Sequence, residues 1–474
     1  MTRGNQFRFF AAVAGGGKDD SLRRWLTVAS VEGTFANVFT ILTGGAFLTG
    51  LALYFGANDV TIGLLAALPY LAQTAQILSA YLVDCTGQRK AITLWAAVAA
   101  RQSWWLVLPL LFLPSAWRLE ALLVIVTFSN IALMVSTPAW MAWMADLVPE
   151  RIRGRYFGFR SAAVAFTTLA ATIAGGLILD YFRSYGRDHI GFAVITAAAT
   201  TFALAATLLL NRIPDRSAHQ LRVPFQWSRL LEPFQDKLFR RLLEMMLAWN
   251  LAIGISAAFF AAHMLTNLKM SFTQISLYSC LGSLVAVGLN RPWGKLIDRF
   301  GSKAVLVFCA LGICLVPLIW LIPRPDSLWI LWFEAVYAGA LWTGFTLAVF
   351  TIPIAHSPRE GRTIYLAMFS VVTGLAFFIS STAGGILAES WSRIHWTVGP
   401  QTIVNYHLLF VLSALMRAGA AIFFMTFHEP QGKPLPIMVH FMGDAVLGQL
   451  SHGRRLLSWL RLRDGDTPPS GDDE

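Results

Sequence analysis

The ionisable residues that fall inside apolar runs are the first candidates for chemistry. Arg101 stands in VAARQSWW, Glu334 in LWFEAVY and Arg417 in ALMRAGA. A charge held in hydrocarbon costs about 2.5 to 3.5 kcal/mol even on lenient scales, so each of these positions is a site hypothesis. A carboxylate such as Glu334 can take up and release a proton, whereas an arginine stays charged and must find a partner. Glu32 and Glu244 stand at the starts of two further apolar runs. There a long side chain can snorkel to water, and Glu32 is held as a second proton-binding candidate.

Other chemistries lack their residues. GGGKDD at 15–20 misses the earlier glycine of a phosphate loop and puts Asp19 where a magnesium-binding hydroxyl belongs. No cluster of His, Cys or paired carboxylates has the spacing of a metal site or an activated nucleophile. No metal, no cofactor and no enzymatic activity are expected.

The elements that position these residues are read from hydropathy. Of 474 residues 56% are hydrophobic and 13% charged, about half the charge content of a soluble domain. Runs long enough to cross a bilayer are expected at 35–55, 60–83, 91–113, 119–145, 157–182, 190–212, 243–265, 274–292, 303–323, 328–354, 363–388 and 405–427. The net charge is +11, carried mainly by segments on one side of these spans. That pattern argues against nucleic acid as a partner and places both termini in the cytoplasm. Cys85, Cys280, Cys309 and Cys314 give no disulfide framework. FFAAVA is too short for a signal peptide, so the first span is expected to direct insertion.

The chain also repeats itself at a shift of about 210 residues. DLVPERIRGR at 146–155 meets AHSPREGR at 355–362, and AGGLILD at 174–180 meets AGGILAE at 383–389. The expected architecture is an all-α integral membrane protein of twelve helices in two pseudo-symmetric halves, 35–212 and 243–427. A cytoplasmic tail (1–34), a linker with an amphipathic stretch (213–242) and a second tail (428–474) complete it. The second tail is expected to lie on the inner membrane surface against lipid and to end in an acidic disordered segment.

GKLIDRFGSK at 294–303 departs from the G-x-L-x-D-R-x-G-R-[RK] loop signature only at Ser302, and AYLVDCTGQRK at 80–90 is its looser partner. With the repeat and the span count, these phrases make the chain resemble the major facilitator superfamily of secondary transporters. The glycines Gly87 and Gly301 let the chain reverse, and basic residues hold each turn on the inner face. The resemblance implies a cytoplasmic gate of Asp84, Gly87, Arg89, Gly294, Asp298, Arg299, Gly301 and Lys303, with Arg151 and Arg155 as salt-bridge partners. The alternative is that these residues serve only the turns. The second phrase is the fuller one, since Ala80, Cys85 and Gln88 replace signature residues in the first.

The resemblance further implies a cavity lined by spans one, four, seven and ten. Glu334 in span ten is then the leading proton-binding or substrate-contacting group, and Arg101 and Arg417 lie in outer spans that tie each half together. Stripes at helical spacing add Asn37 and Thr40, then Asn130, Met134 and Thr137, then Trp249 and Asn250, then Tyr337 and Phe345, the alternative being that they are helix-packing faces. Such a lining, aromatic and methionine-rich, suits a small amphipathic organic solute. The expected protein is a monomer in a bacterial inner membrane, proton-coupled, with export preferred. Uptake by symport, or a role as a non-transporting assembly factor or sensor, are the alternatives.

Overall fold

A computed structural model describes residues 20–113, 116–215, 230–358, 362–399, 401–427, 429 and 433–451. Among them, eleven helices are long and apolar enough to cross a membrane. The remaining crossing, span three, is built in pieces: a helix Arg89–Gln102, a 3₁₀ turn Ser103–Leu106 and a helix Val107–Phe112. Arg101 lies next to this break and lowers the local hydropathy. The order is that of the twelve expected spans.

The boundaries move outward at two places. Span one already begins at Asp20, runs to Leu42 and continues as Gly45–Tyr54 after a break where Gly45 takes φ +52°. Residues 20–34, expected as tail, are therefore helix, because charged first turns such as Arg23 and Arg24 depress hydropathy without opposing helix formation. Span seven likewise begins at Lys237, capped by the Asp236 carboxylate on the N–H groups of Leu238 and Phe239. Of the amphipathic stretch expected in the linker, residues 225–229 lie outside the described residues, as does the tail beyond Ser451; the rest forms a short helix, Glu232–Gln235, and the start of span seven. A short antiparallel hairpin, His395–Val398 with Gln401–Val404, joins spans eleven and twelve. It is the one pair of strands described in an otherwise helical molecule.

The two halves use the same packing scheme. Span one packs on five and six, two on four, and three on four and six; span seven packs on eleven and twelve, eight on ten, and nine on ten and twelve. Between the halves, two seams dominate, two against eleven and five against eight, and they too are equivalent. This is the parallel repeat read from the sequence, realised as a pseudo-two-fold pair of bundles.

Both seams are tight at the end far from the termini. A Cβ on Gly176 would stand 2.8 Å from the Phe272 carbonyl oxygen, and one on Gly385 would stand 2.9 Å from that of Asp59. Only glycine allows backbones this close. Ser276 donates to Thr172 O at 2.8 Å, Ser381 donates to Gly63 O at 2.9 Å, and the rings of Tyr70 and Phe377 stack with centroids 3.6 Å apart. At the near end the named bonds tie each half to itself: Lys90 to Asn211 O, Trp143 to Pro214 O, Arg241 to Thr426. Among the described residues the close contacts between the halves gather toward the far end, and the interior space extends toward the near end along Ala286, Asn290, Thr346 and Phe350.

Candidate functional site

The space between the halves has three lobes that share walls. One of about 560 Å³ is lined by spans one, two and four, by Trp104, and by Ala257, Ala258, Ala261 and Phe377 of the second half. A second of about 420 Å³ lies between spans one, five and eight and shares Thr40, Gly44, Gly45 and Ala46 with the first. A third of about 660 Å³ lies along spans eight and ten and shares Ser279 and Ser283 with the second. The first and third lobes are equivalent surfaces of the repeat: Leu65, Tyr70, Asn130 and Met134 on one correspond to Tyr278, Ser283, Gly339 and Thr343 on the other. No lining residue of the three lobes carries an ionised side chain.

The stripes of the first half meet this space. Thr40, Asn130 and Met134 line it, and exposed Thr137 follows one turn nearer the open end, its hydroxyl returned to Leu133 O. Asn37 instead donates to Thr168 Oγ1 at 2.8 Å and fixes span one against span five.

The stripes of the second half do not line the three lobes. Trp249 is 1% exposed, stacks on Phe345 with centroids 4.7 Å apart and meets the tilted Phe424 ring at 5.4 Å. Asn250 bonds its own helix at Met246 O, and the Tyr337 hydroxyl reaches Gly312 O in span nine at 2.9 Å. Span ten presents Gly339, Trp342, Thr343 and Thr346 to the cavity. Two stripes on one helix can look equally plausible in sequence when one faces a partner helix and the other a cavity. The aromatic lining thus includes Trp104, Tyr70, Phe377, Tyr278 and Trp342 in place of Trp249, Tyr337 and Phe345.

Glu334 stands one side chain behind the cavity wall. It is 1% exposed, and its Oε2 accepts the Tyr278 hydroxyl at 2.5 Å, while Tyr278 itself lines the third lobe. Trp320 of span nine packs against Tyr278, ring centroids 5.9 Å apart. Arg417 is 2% exposed and donates to Ser256 Oγ at 3.2 Å and Ile313 O at 3.5 Å, leaving its Nε without a partner. From span twelve it thus bonds to spans seven and nine.

The first half closes its charges on one another. Glu32 does not snorkel: it is 2% exposed, with Oε1 3.0 Å from Arg101 and Oε2 3.9 Å from Arg160. Arg160 also lies over the Trp140 ring at 4.5 Å. Glu32 was expected to share proton binding, but two guanidiniums neutralise it in the interior, away from the cavity lobes. Glu244, by contrast, is exposed beside Arg240 and Arg241 and does reach water.

At the near end Gly87 and Gly301 take φ +69° and +91°, the turn conformations their type predicts. Arg89 forms an ion pair with Asp146 at the end of span four. Asp298 and Arg299 are exposed, and Arg299 lies over the Phe441 ring at 4.3 Å. That ring belongs to a C-terminal helix, Leu435–Ser451, docked on the Phe300 turn. The Lys303 N–H donates to Glu429 at 2.9 Å, Gly294 faces Leu347, and Arg155 is exposed at the start of span five. The side chains of Asp84 and Arg151 lie outside the described residues.

Sequence reasoning missed Tyr278, Arg160 and the buried pair His263 and His407, whose rings lie 5.0 Å apart. A tyrosine facing a carboxylate on another helix leaves no trace in spacing along either one.

The family model described as Major Facilitator Superfamily matches residues 33–262 and 245–440. Among curated relatives, Multidrug resistance protein 2 of Bacillus subtilis is 25% identical over 36% of this chain and 43% of its own. The class H tetracycline resistance protein of Pasteurella multocida is 29% identical over 26% and 29%. The chain thus spans less than half the length of each of these two. The minor myo-inositol transporter IolF of Bacillus subtilis is 24% identical over 75% of this chain and 74% of its own. Among solved structures, a D-xylose-proton symporter superposes with a TM-score of 0.66 at 16% identity over 86% of this chain and 98% of that one. The nucleoside transporter NupG, as a point mutant, gives 0.66 at 13% over 86% and 100%; at such identities both likenesses speak for the fold alone. Family match, helix order and paired bundles agree: the chain belongs to the major facilitator superfamily.

Proposed function

We propose that this transporter moves a small, uncharged or amphipathic organic solute by alternating access, coupled to protons, with its near end and both termini in the cytoplasm of a bacterial cell. The conformation described is then the inward-facing one. The cavity wall supports the solute class: it offers hydroxyls, an amide at each equivalent face and aromatic rings, and no fixed charge to attract an ion. The observation that carries the coupling is Glu334 behind Tyr278. A buried carboxylate whose hydrogen-bond donor is itself a cavity residue can respond to what occupies the cavity.

Export is the preferred direction. A wide, charge-poor cavity open to the cytoplasm suits collection of amphipathic molecules, and two of the relatives are named for multidrug and tetracycline resistance. Near-end gating by the turns around Asp84 and Asp298 belongs to the same reading: with the near end open, Asp298 is exposed and free to engage when the halves rock.

The test is flux through the purified chain in proteoliposomes under an imposed proton gradient. Glu334→Gln should abolish the pH dependence while leaving folded protein in the membrane. Unchanged pH dependence would remove Glu334 from the mechanism, and inward solute accumulation with an inward proton gradient would replace export with symport.

A further inference from the structure

The repeated stretches AGGLILD and AGGILAE each end in an acid, Asp180 and Glu389, four residues after the seam glycines Gly176 and Gly385. Both acids reach across to the other half. Asp180 accepts the N–H groups of Phe272 at 2.9 Å and Thr273 at 2.7 Å, the first residues of span eight. Glu389 accepts the N–H of Asp59 at 3.1 Å, the first residue of span two. The donors are equivalent in the repeat, and so are the acids.

Each receiving helix already has a cap of its own. Asn58 accepts the Thr61 N–H at 3.0 Å, and Ser271 accepts the Gln274 N–H at 3.1 Å within a full capping box. The first turn of a helix leaves four N–H groups without partners and a partial positive charge. The local caps take one of these on each helix, and the acids from the other half take the outermost ones. Local caps survive any movement of the halves; the acids keep their partners only while the far end is shut.

We propose that Asp180 and Glu389 are a matched pair of helix caps acting between the halves, and that they set the balance between the two access states. Their stabilisation goes to the closed far end rather than to the helices, because Asn58 and Ser271 hold the helix starts in both states. The corners differ in strength. Asp180 makes two bonds, with Arg183 near the same Phe272 ring at 5.6 Å. Glu389 makes one, and the Asp59 carboxylate beside it is held by Tyr406 and by Asn405 of span twelve. Removing Asp180 should therefore shift the balance more than removing Glu389.

The inference rests on alternating access but not on any solute or coupling ion, and its test reads conformation directly. Spin labels at Ser184→Cys and Lys269→Cys, with the native cysteines replaced, report the far-end separation of spans five and eight in nanodiscs. Asp180→Asn should raise the long-distance population about fivefold, as loss of a helix cap implies, with a smaller rise for Glu389→Gln and the largest for the double variant. Asp180→Glu should retain most of the short distance, and Glu120→Gln, an exposed acid at the same end, should change nothing. A double variant that melts like the parent with unchanged distances overturns the proposal, as does an equal shift from Glu120→Gln. If the double variant is not recovered, Glu389→Gln alone, which removes a single hydrogen bond, decides in the same way. Failure to transport any tested solute leaves these distances readable.

Discussion

In the first half Glu32 meets Arg101 at 3.0 Å and Arg160 at 3.9 Å; in the second, Glu334 and Arg417 are buried just as deeply, yet no ion pair joins them. Glu334 has a tyrosine hydroxyl, and Arg417 has a serine and a backbone carbonyl. The same helix arrangement thus holds two different charge economies. A carboxylate between two guanidiniums is held in place by its ion pairs and acts as a strut. A carboxylate held by neutral donors, the Tyr278 hydroxyl and Trp320, has no fixed charge bonded to it, and Tyr278 faces the cavity. Burial alone therefore says little about which acid works and which one braces; the partner decides.

The largest effect that tests this contrast is Arg101→Leu. It leaves Glu32 buried with one distant partner and should lower stability by about 3 to 5 kcal/mol, seen as a large fall in melting temperature. Adding Glu32→Gln should restore most of it. If Arg101→Leu melts like the parent, the strut reading is wrong.

Close behind is the pair of tryptophans on either side of the second-half wall. Trp249→Ala should cost about 3 to 5 kcal/mol of stability while leaving solute affinity near normal in the surviving fold. Trp342→Ala should do the reverse, weakening solute binding by tenfold or so with little change in melting. Binding and melting curves on the two variants separate core from cavity, and matching profiles would merge them.

Tyr278→Phe removes the hydrogen bond that Glu334 receives from the cavity wall and keeps the ring. A hydrogen bond to a charged group contributes about 1.5 to 3 kcal/mol, so transport should slow roughly tenfold and its pH midpoint should move. A slower rate with an unmoved midpoint would make Tyr278 a packing residue. The smallest effect is at the near-end turns: Asp298→Asn should slow flux about twofold more than Asp84→Asn does, within what an exposed acid can contribute. Equal rates would end the asymmetry between the two turns.

Much of the fold was legible before any coordinates. Twelve crossings, two halves and two glycine turns follow from apolar length, the shifted repeat and the type of residue that tolerates positive φ. The early starts of spans one and seven were not, because hydropathy marks where a helix enters lipid rather than where it begins. The site was half legible. Thr40, Asn130 and Met134 lie where their stripes suggested, while Trp249, Tyr337 and Phe345 turned out to be core.

The physical reason is that lipid removes the amphipathic signal. In water a helix declares its buried face by polarity; in a bilayer the lipid face, the packing face and much of a cavity wall are all apolar. The sequence by itself determined the number and order of the spans, the repeat, and the rarity of intramembrane charge, because these depend on local cost. Only the tertiary structure decided that Glu32 pairs with Arg101, that Tyr278 stands between Glu334 and the cavity, and that Asp180 and Glu389 reach the opposite half. Each of those is a meeting of distant helices, set by how the bundles pack and not by any spacing along one of them.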